Sequence, residues 1–375
     1  MGSADTRAAL STRVKPVTEH FLALDALRGV AAVAVLCLHW CEGLGNPWFG
    51  GARLAVDFFF LLSGFVMDHA YTERLATELS FRRFFLIRVI RLWPMIAAGA
   101  LIGLAREAMR GVISHDPTFS LPHALFQFGL NLFMIPDLWS GLDAYHYPLN
   151  IAMWSLFAEF VAYVLFGWFT YKAGTRVLVA LAAVSGLVVA AWLIWYYGNV
   201  QTGPYIPGVS YPVDICRAIF SFTIGMLLYR LRDRLPALPL GPWVCAAVLF
   251  AMMAVPEGRI TLPVRALVLI GLFPVLVLAG ARAEVTGKTA RAASRLGDLS
   301  YPLYAVHTPL IWLLGGALSI VLAKAHIDIP KIWLGIIVLP ITAVIAYFLL
   351  RFYDEPLRRY FGRLYRRAMS PKTAS

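Results

Sequence analysis

Long apolar runs, interrupted by short polar segments, dominate this chain. A helix that spans a bilayer needs about 20 predominantly apolar residues. Ten runs meet this requirement, at residues 21–41, 52–71, 84–105, 150–171, 176–197, 213–231, 238–256, 261–281, 299–323 and 332–352. The pattern therefore predicts an all-α membrane protein with about ten transmembrane helices.

An eleventh apolar run, residues 122–136, is shorter and is bounded by prolines. Its length suits one short re-entrant or interfacial helix better than a further span. The longest segment between spans, 106–149, contains this run, so we expect no separate soluble domain. The predicted organisation is a cytoplasmic N-terminal tail at 1–20, one transmembrane domain at 21–352 and a basic cytoplasmic C-terminal tail at 353–375.

The composition supports the same class of protein. Hydrophobic residues make up 60% of the 375 residues and charged residues 14%. Soluble domains are about 45–50% apolar and about 25% charged. A compact soluble fold has too little interior to bury this much apolar surface, so the main solvent of this protein is expected to be the lipid bilayer.

The net charge of +12 would suggest nucleic acid as the partner of a soluble protein. With ten spans and both termini in the cytoplasm, 22 of the 33 basic residues fall on the inner side and six on the outer side. The other five lie within the predicted spans. Because cytoplasmic loops of membrane proteins are enriched in Lys and Arg, this bias explains the charge, and we expect no nucleic-acid partner.

Ionisable residues inside the spans carry the functional signal, because such groups are costly at membrane depth. In the first span, Asp25 and Arg28 are i,i+3 neighbours, and His39 follows Arg28 by eleven residues on nearly the same face. The rise of an α-helix puts Arg28 and His39 roughly 16 Å apart along the axis. Plainer explanations are snorkelling of Arg28 and an interfacial position for His39.

Arg88 and Arg91 lie one turn apart near the cytoplasmic end of the third span, directly after Arg82 and Arg83. Guanidinium groups match phosphate oxygens in geometry and charge, so this helix end suits a phosphate-rich ligand. Anchoring to anionic lipid headgroups would use the same residues.

Several polar faces accompany these cations. The fourth span carries Ser155, Glu159 and Tyr163 at i, i+4 and i+8, with Trp154 beside them. Asp57 and Ser63 lie in the second span, and interhelical ion pairing is an alternative role for the carboxylates. Further polar faces contain Asp214, Arg217, Ser221, Tyr301, Tyr304 and His307. No histidine spacing indicates a metal, and no metal or bound cofactor is expected.

Seven of these strings, in order and over nearly the whole chain, resemble the integral-membrane acyltransferase family 3. They are LDALRG with the later His39, VDFFFLLSGF, RVIRLWP, WSLFAEFVAY, the Arg217–Phe222–Gly225 pattern, SYPLYAVHTP and YDEP. The resemblance implies a bacterial inner-membrane enzyme that transfers an acyl group, usually acetyl, from acyl-CoA to a sugar hydroxyl. Some members of that family carry a fused hydrolase-like domain after the helices, and because about 23 residues follow the last predicted span here, we expect the stand-alone form.

The same resemblance implies roles for single residues. His39 matches the histidine regarded as catalytic, and Arg28, Arg88 and Arg91 match the signature arginines, which we expect to bind the acyl-CoA phosphates. Glu159 or Asp57 is expected to fix the tautomer of His39. Oxyanion stabilisation or substrate binding is expected from Ser63, Trp154, Ser155, Tyr163, Arg217, Tyr301 and His307.

The main alternative is a polytopic transporter or flippase of a glycan or lipid-linked solute. Buried charges also mark transport pathways. The sequence contains no matching pair of helices broken by Gly or Pro in its two halves, which favours the enzyme.

Overall fold

The computed structural model describes residues 21–113, 118–138, 147–197, 211–236 and 238–369. The predicted N-terminal tail lies outside these residues. The described chain is helical and contains no β-strand. Its helices are α1 Leu22–Glu42, α2 Ala55–Thr77, α3 Phe81–Ile113, α4 Leu121–Leu132, α5 Met153–Trp168, α6 Thr175–Tyr197, α7 Tyr211–Leu231, α8 Pro242–Met253, α9 Leu262–Leu267, α10 Phe273–Arg282, α11 Gly287–Lys324, α12 Gly335–Leu349 and α13 Glu355–Met369.

These helices lie where the ten spans are predicted, so the all-α membrane fold is confirmed. Among the described residues, eight helical segments are long and apolar enough to cross a membrane. The predicted spans at 150–171 and 238–256 are occupied by the shorter apolar helices α5 and α8. The short run at 122–136 forms α4, a helix of 12 residues. The number of crossings and the side of the termini stay predictions.

Two of the long segments contain a π-helical turn. One, Val268–Leu272, joins α9 to α10, and the other, Leu350–Asp354, joins α12 to α13. Each turn comes just before a proline, Pro274 or Pro356, which has no N–H for the carbonyl four residues earlier. The wider π turn accommodates this missing hydrogen bond. As a result, the predicted C-terminal tail begins as a continuation of the last apolar helix.

The closest helix contact is between α2 and α7. A Cβ atom on Gly64 would lie 1.9 Å from the carbonyl oxygen of Phe222, and one on Gly225 would lie 2.0 Å from that of Leu61. Only glycine allows the two backbones to approach in this way. The SGF motif of the second span therefore has a packing role at Gly64.

Two buried ion pairs flank that contact between α2 and α7. Towards one end, Arg217 donates to both carboxylate oxygens of Asp57. Towards the other end, Arg230 donates to Asp68 at 2.8 and 2.9 Å and also to the carbonyl of Ala173, just after α5. Because a buried carboxylate needs a cationic or hydrogen-bonding partner, these pairs set the relative height of the two helices.

Helix α11 packs mainly along α1, and its interior prolines open its backbone to other helices. Pro309 cannot donate to the carbonyl of Ala305, four residues earlier. The side-chain amide of Asn150 donates to that carbonyl at 2.7 Å. The residues just before α5 are thereby tied to the middle of α11, close to the polar residues of both helices.

Replacing Gly64 by alanine tests the contact between α2 and α7. We expect Gly64→Ala to lower the stability of the detergent-purified protein by about 1–3 kcal/mol, because the added methyl group meets the Phe222 carbonyl. Thermal unfolding followed by tryptophan fluorescence measures the change. Gly362→Ala is the matched control, since a Cβ atom at Gly362 meets nothing within 4 Å. Equal unfolding temperatures for the two variants would contradict this interpretation.

Candidate active site

A cavity of about 450 Å³ lies between α1, α2, α3, α5 and α11, and we call it the inner cavity. It includes residues near the start of α1, on the side that the charge pattern assigns to the cytoplasm. Eight of the thirteen predicted site residues line it. They are Arg28, Ser63, Arg88, Arg91, Ser155, Glu159, Tyr163 and Tyr301.

Two of the three predicted phosphate-binding arginines have protein partners in the inner cavity. Arg28 donates to Asp25 at 2.8 Å and to Ser300 of α11 at 3.0 Å. Arg88 is buried and donates to the Tyr163 hydroxyl at 2.9 Å. The Arg88 Nε atom is also buried and has no hydrogen-bond partner among the described residues. One N–H group of Arg88 is therefore left without a protein acceptor at the cavity wall.

Arg91 is the least compensated of these cations. Its side chain is exposed at the cavity wall, and it makes no hydrogen bond or ion pair with another described residue. The charges that repel it are Arg88, Arg28 and Arg358 of α13. Arg358 is itself paired with Asp354 at 2.8 Å. An anion in the inner cavity would relieve this repulsion.

Glu159 belongs to the wall of the inner cavity. One of its oxygens accepts hydrogen bonds from the hydroxyl groups of Ser63 and Tyr163, the latter at 2.5 Å. Tyr163 also accepts the bond from Arg88. The stripe predicted on α5 is thus real, but it connects Glu159 to an arginine through a tyrosine.

His39 lies in a second cavity, which we call the outer cavity. It has a volume of about 330 Å³. It lies between the end of α1, parts of α3 and α11, and the short helical turn Lys331–Leu334 that comes before α12. The His39 Nδ1 atom is 3.0 Å from the Glu42 carboxylate. Since a carboxylate only accepts, Nδ1 carries the hydrogen and Nε2 has the free lone pair. His39 is therefore arranged as a base.

The Glu42 carboxylate is held in turn. Its other oxygen accepts a bond from Arg53 at 2.8 Å, and Arg53 also donates to Glu257 at 3.2 Å. This row of alternating charges fixes the carboxylate that orients His39. It resembles in logic the base-and-orienting-acid pair of hydrolytic enzymes.

The expectation that Glu159 or Asp57 orients His39 is therefore at odds with the structure. Glu159 is bound in the inner cavity, and Asp57 is bound to Arg217 and, at 3.4 Å, to Ser221. Asp57 was expected to serve catalysis because helical spacing alone does not show which neighbouring helix supplies its partner. The interhelical ion pair, the alternative for such carboxylates, is what the structure contains.

Two predicted ligand-binding residues belong to this ion pair. Arg217 donates to Asp57, and its guanidinium carbon lies 5.8 Å from the centre of the Trp154 ring. Neither Arg217 nor Trp154 lines the inner or the outer cavity. Both sit where α2, α5 and α7 meet, so their visible role is in helix packing.

His307 separates the two cavities. Its buried ring lies 5.0 Å from the ring of His39. The His307 Nδ1 atom is 2.6 Å from the carbonyl of Tyr304, and Nε2 is 3.1 Å from the Thr308 hydroxyl. The Tyr304 side chain lines the inner cavity, where its hydroxyl lies 2.5 Å from that of Ser155. Tyr304 and His307 thus lie in series between the inner cavity and His39.

Oxyanion stabilisation by Ser63, Tyr301 or His307 does not fit the hydrogen bonds. Ser63 donates to Glu159, and Tyr301 donates to the carbonyl of Leu92. Both ring nitrogens of His307 are engaged. Because their hydrogens are already used, these groups have no spare donor in this conformation.

Sequence reasoning missed Glu42, Arg53 and Asn150. Glu42 is three residues after His39, and the i,i+3 rule would have found that pair. Arg53 and Asn150 lie outside the long helices, at positions that periodicity does not relate to their partners. Only the folded chain brings them to the site.

Comparison with known proteins agrees with this architecture. The chain is 32% identical to "Protein 2 in picA locus" of Rhizobium radiobacter over 178 residues. This match covers 45% of this chain and 93% of the relative. Over 285 residues, it is 27% identical to "Exopolysaccharide production protein ExoZ" of Rhizobium meliloti (strain 1021), covering 73% of this chain and 80% of that protein. No solved structure matches the chain.

The family comparison covers most of the chain. Residues 21–351 match the acyltransferase domain of the acyltransferase 3 family. The match contains both cavities, His39 and the arginines of the inner cavity. This multi-pass membrane protein belongs to the acyltransferase 3 family.

Proposed function

We propose that the protein transfers an acyl group, acetyl in the simplest case, from acyl-CoA to a sugar hydroxyl of a cell-surface or exported glycan. The observation that carries this proposal is the position of His39. Its ring is oriented by Glu42 at the outer cavity, and His307 and Tyr304 lie in series between it and the arginine-lined inner cavity. The printed name of the Rhizobium meliloti relative, an exopolysaccharide production protein, supports a glycan acceptor.

The inner cavity is proposed as the donor site. Acyl-CoA carries several phosphate groups. Arg91, which makes no hydrogen bond or ion pair with another described residue, and Arg88, whose Nε has no hydrogen-bond partner among them, offer positive charge to these groups. Arg28 adds a third guanidinium, fixed by Asp25 and Ser300. The charge pattern assigns this side to the cytoplasm, where acyl-CoA is made.

The acceptor is proposed to bind in the outer cavity, so that donor and acceptor approach from opposite sides. His39 Nε2 takes the proton of the acceptor hydroxyl, and the oxygen attacks the thioester carbonyl carbon. The C–S bond then breaks, and the imidazolium returns the proton to the departing thiolate of CoA. Glu42 stabilises the imidazolium while it carries the proton.

Replacement of the proposed base is the first test. We expect His39→Asn to lower transfer from acetyl-CoA by about 10²–10⁴-fold, the contribution typical of a general base. Incorporation of labelled acetyl into glycan by purified protein measures it. The control is His326→Asn, an exposed histidine with φ 56°, a conformation that asparagine also adopts. A folded His39→Asn protein with full activity would refute the assignment.

Glu42 is proposed to act through His39, so its replacement tests orientation of the base. We expect Glu42→Gln to reduce kcat by about tenfold or more while the KM for acetyl-CoA changes little, since the donor site lies in the other cavity. Glu257→Gln is the matched control, because Glu257 contacts Arg53 but not His39. A Glu42→Gln effect confined to KM would contradict the positioning role.

Donor binding also separates the enzyme from a transporter or flippase. We expect CoA to raise the unfolding temperature of the wild-type protein and Arg91→Gln to weaken CoA binding by about tenfold or more, because one charge-assisted phosphate contact is lost. Arg83→Gln, an exposed arginine of the same helix outside the cavity lining, is the control. Absence of stabilisation by CoA would favour the transporter.

A further inference from the structure

The outer cavity has a lining suited to one kind of sugar. Trp40 and Trp312 contribute aromatic rings to the wall. Gly43, just after α1, and Gly315 and Gly316 of α11 add no side chain to the rest of it. A Cβ atom on Gly315 would lie 3.2 Å from the Trp40 ring, so a larger residue there would press on the tryptophan. Flat apolar rings beside open backbone form a surface on which a sugar ring can stack.

Besides His39, two charged side chains line the outer cavity, and both are cationic. They are Arg106 of α3 and Lys331, at the turn before α12, and no carboxylate lines the cavity. The Arg106 guanidinium carbon lies 4.8 Å from the centre of the Trp312 ring, which fixes its plane beside the cavity. Lys331 is exposed and makes no hydrogen bond or ion pair with another described residue.

The carboxylates near the outer cavity are already paired with cationic or histidine side chains. Glu107 binds both Arg106 and Arg110, the latter at 3.0 Å. Glu42 binds His39 and Arg53. Arg106 therefore lines the cavity as the partner of Glu107, and Lys331 adds a cation that makes no ion pair with a described carboxylate.

The position of these cations in the chain gives a second argument. Only six basic residues fall on the side that the charge pattern assigns to the exterior. Two of them line the outer cavity, and a third, Arg53, holds the carboxylate that orients His39. Anchoring to lipid headgroups would not require them to surround the proposed base.

We propose that the acceptor is an anionic glycan, with a negatively charged sugar unit bound by Arg106 and Lys331 beside His39. The inference rests on the acyltransferase function proposed above and adds the charge of the acceptor. A carboxylate on the sugar would accept bonds from the planar guanidinium of Arg106 and pair with the Lys331 ammonium group. Contact with the half-buried Trp312 ring would then hold the sugar with a hydroxyl near the free Nε2 of His39.

The test uses a matched pair of oligosaccharides, one containing glucuronic acid and the other its carboxyl-reduced, neutral counterpart. Binding to the purified full-length protein is followed by tryptophan fluorescence, and transfer by label from acetyl-CoA. We expect the acidic oligosaccharide to bind at least about tenfold more tightly at low salt, and the preference to shrink as salt screens the charges.

Substitutions assign that preference to the cavity. We expect Arg106→Gln with Lys331→Gln to abolish it, whereas Arg259→Gln, another basic residue on the predicted outer side but outside the lining, keeps it. Stabilisation by CoA shows that each variant is folded. Equal binding of the two oligosaccharides, no binding of the acidic one, or a preference that survives the double substitution would overturn the proposal. If CoA does not raise the unfolding temperature of the wild-type protein, the proposed acyltransferase function itself is overturned.

Discussion

Buried charge must be neutralised, and this constraint organises the helix bundle. In an apolar interior, a carboxylate or guanidinium without a partner costs several kcal/mol. The pairs Asp57–Arg217 and Asp68–Arg230 satisfy the requirement between α2 and α7, and Asp25 satisfies it for Arg28. Arg91 differs from these residues, because its side chain is exposed at the wall of the inner cavity and has no ion-pair partner among the described residues. Because the buried charges of those pairs are neutralised within the protein, Arg91 is where an anionic ligand would find a free cation.

A second constraint places the chemistry between two cavities. The prolines of α11 interrupt its backbone hydrogen bonds, and Asn150 takes up one of the freed carbonyls. The same stretch of α11 carries Tyr304 towards the inner cavity and His307 against His39. The side chains of His307 and Tyr304 therefore lie between His39 and the inner cavity. In the proposed reaction, the acyl end of the donor would pass these two side chains to reach the acceptor while the CoA phosphates stay at the inner cavity.

The sequence was sufficient to predict where the helices lie and which polar residues line the inner cavity in most cases. Apolar run lengths located the helices, and i,i+4 spacing correctly put Ser155, Glu159 and Tyr163 on one face. Helical spacing does not determine the rotation of one helix against another, which decides whether Asp57 meets His39 or Arg217. For that reason, the interhelical pairs and the Arg53–Glu42 contact appear only in the folded chain.

The central claim is that donor and acceptor occupy opposite cavities and that His39 joins them. The most direct measurement uses proteoliposomes sorted by orientation, with labelled acetyl-CoA on one side and a glycan acceptor on the other. The two-cavity arrangement predicts labelled glycan only when acetyl-CoA is on the side of Arg91 and the glycan is on the side of His39. Equal labelling with both substrates on the same side would contradict it.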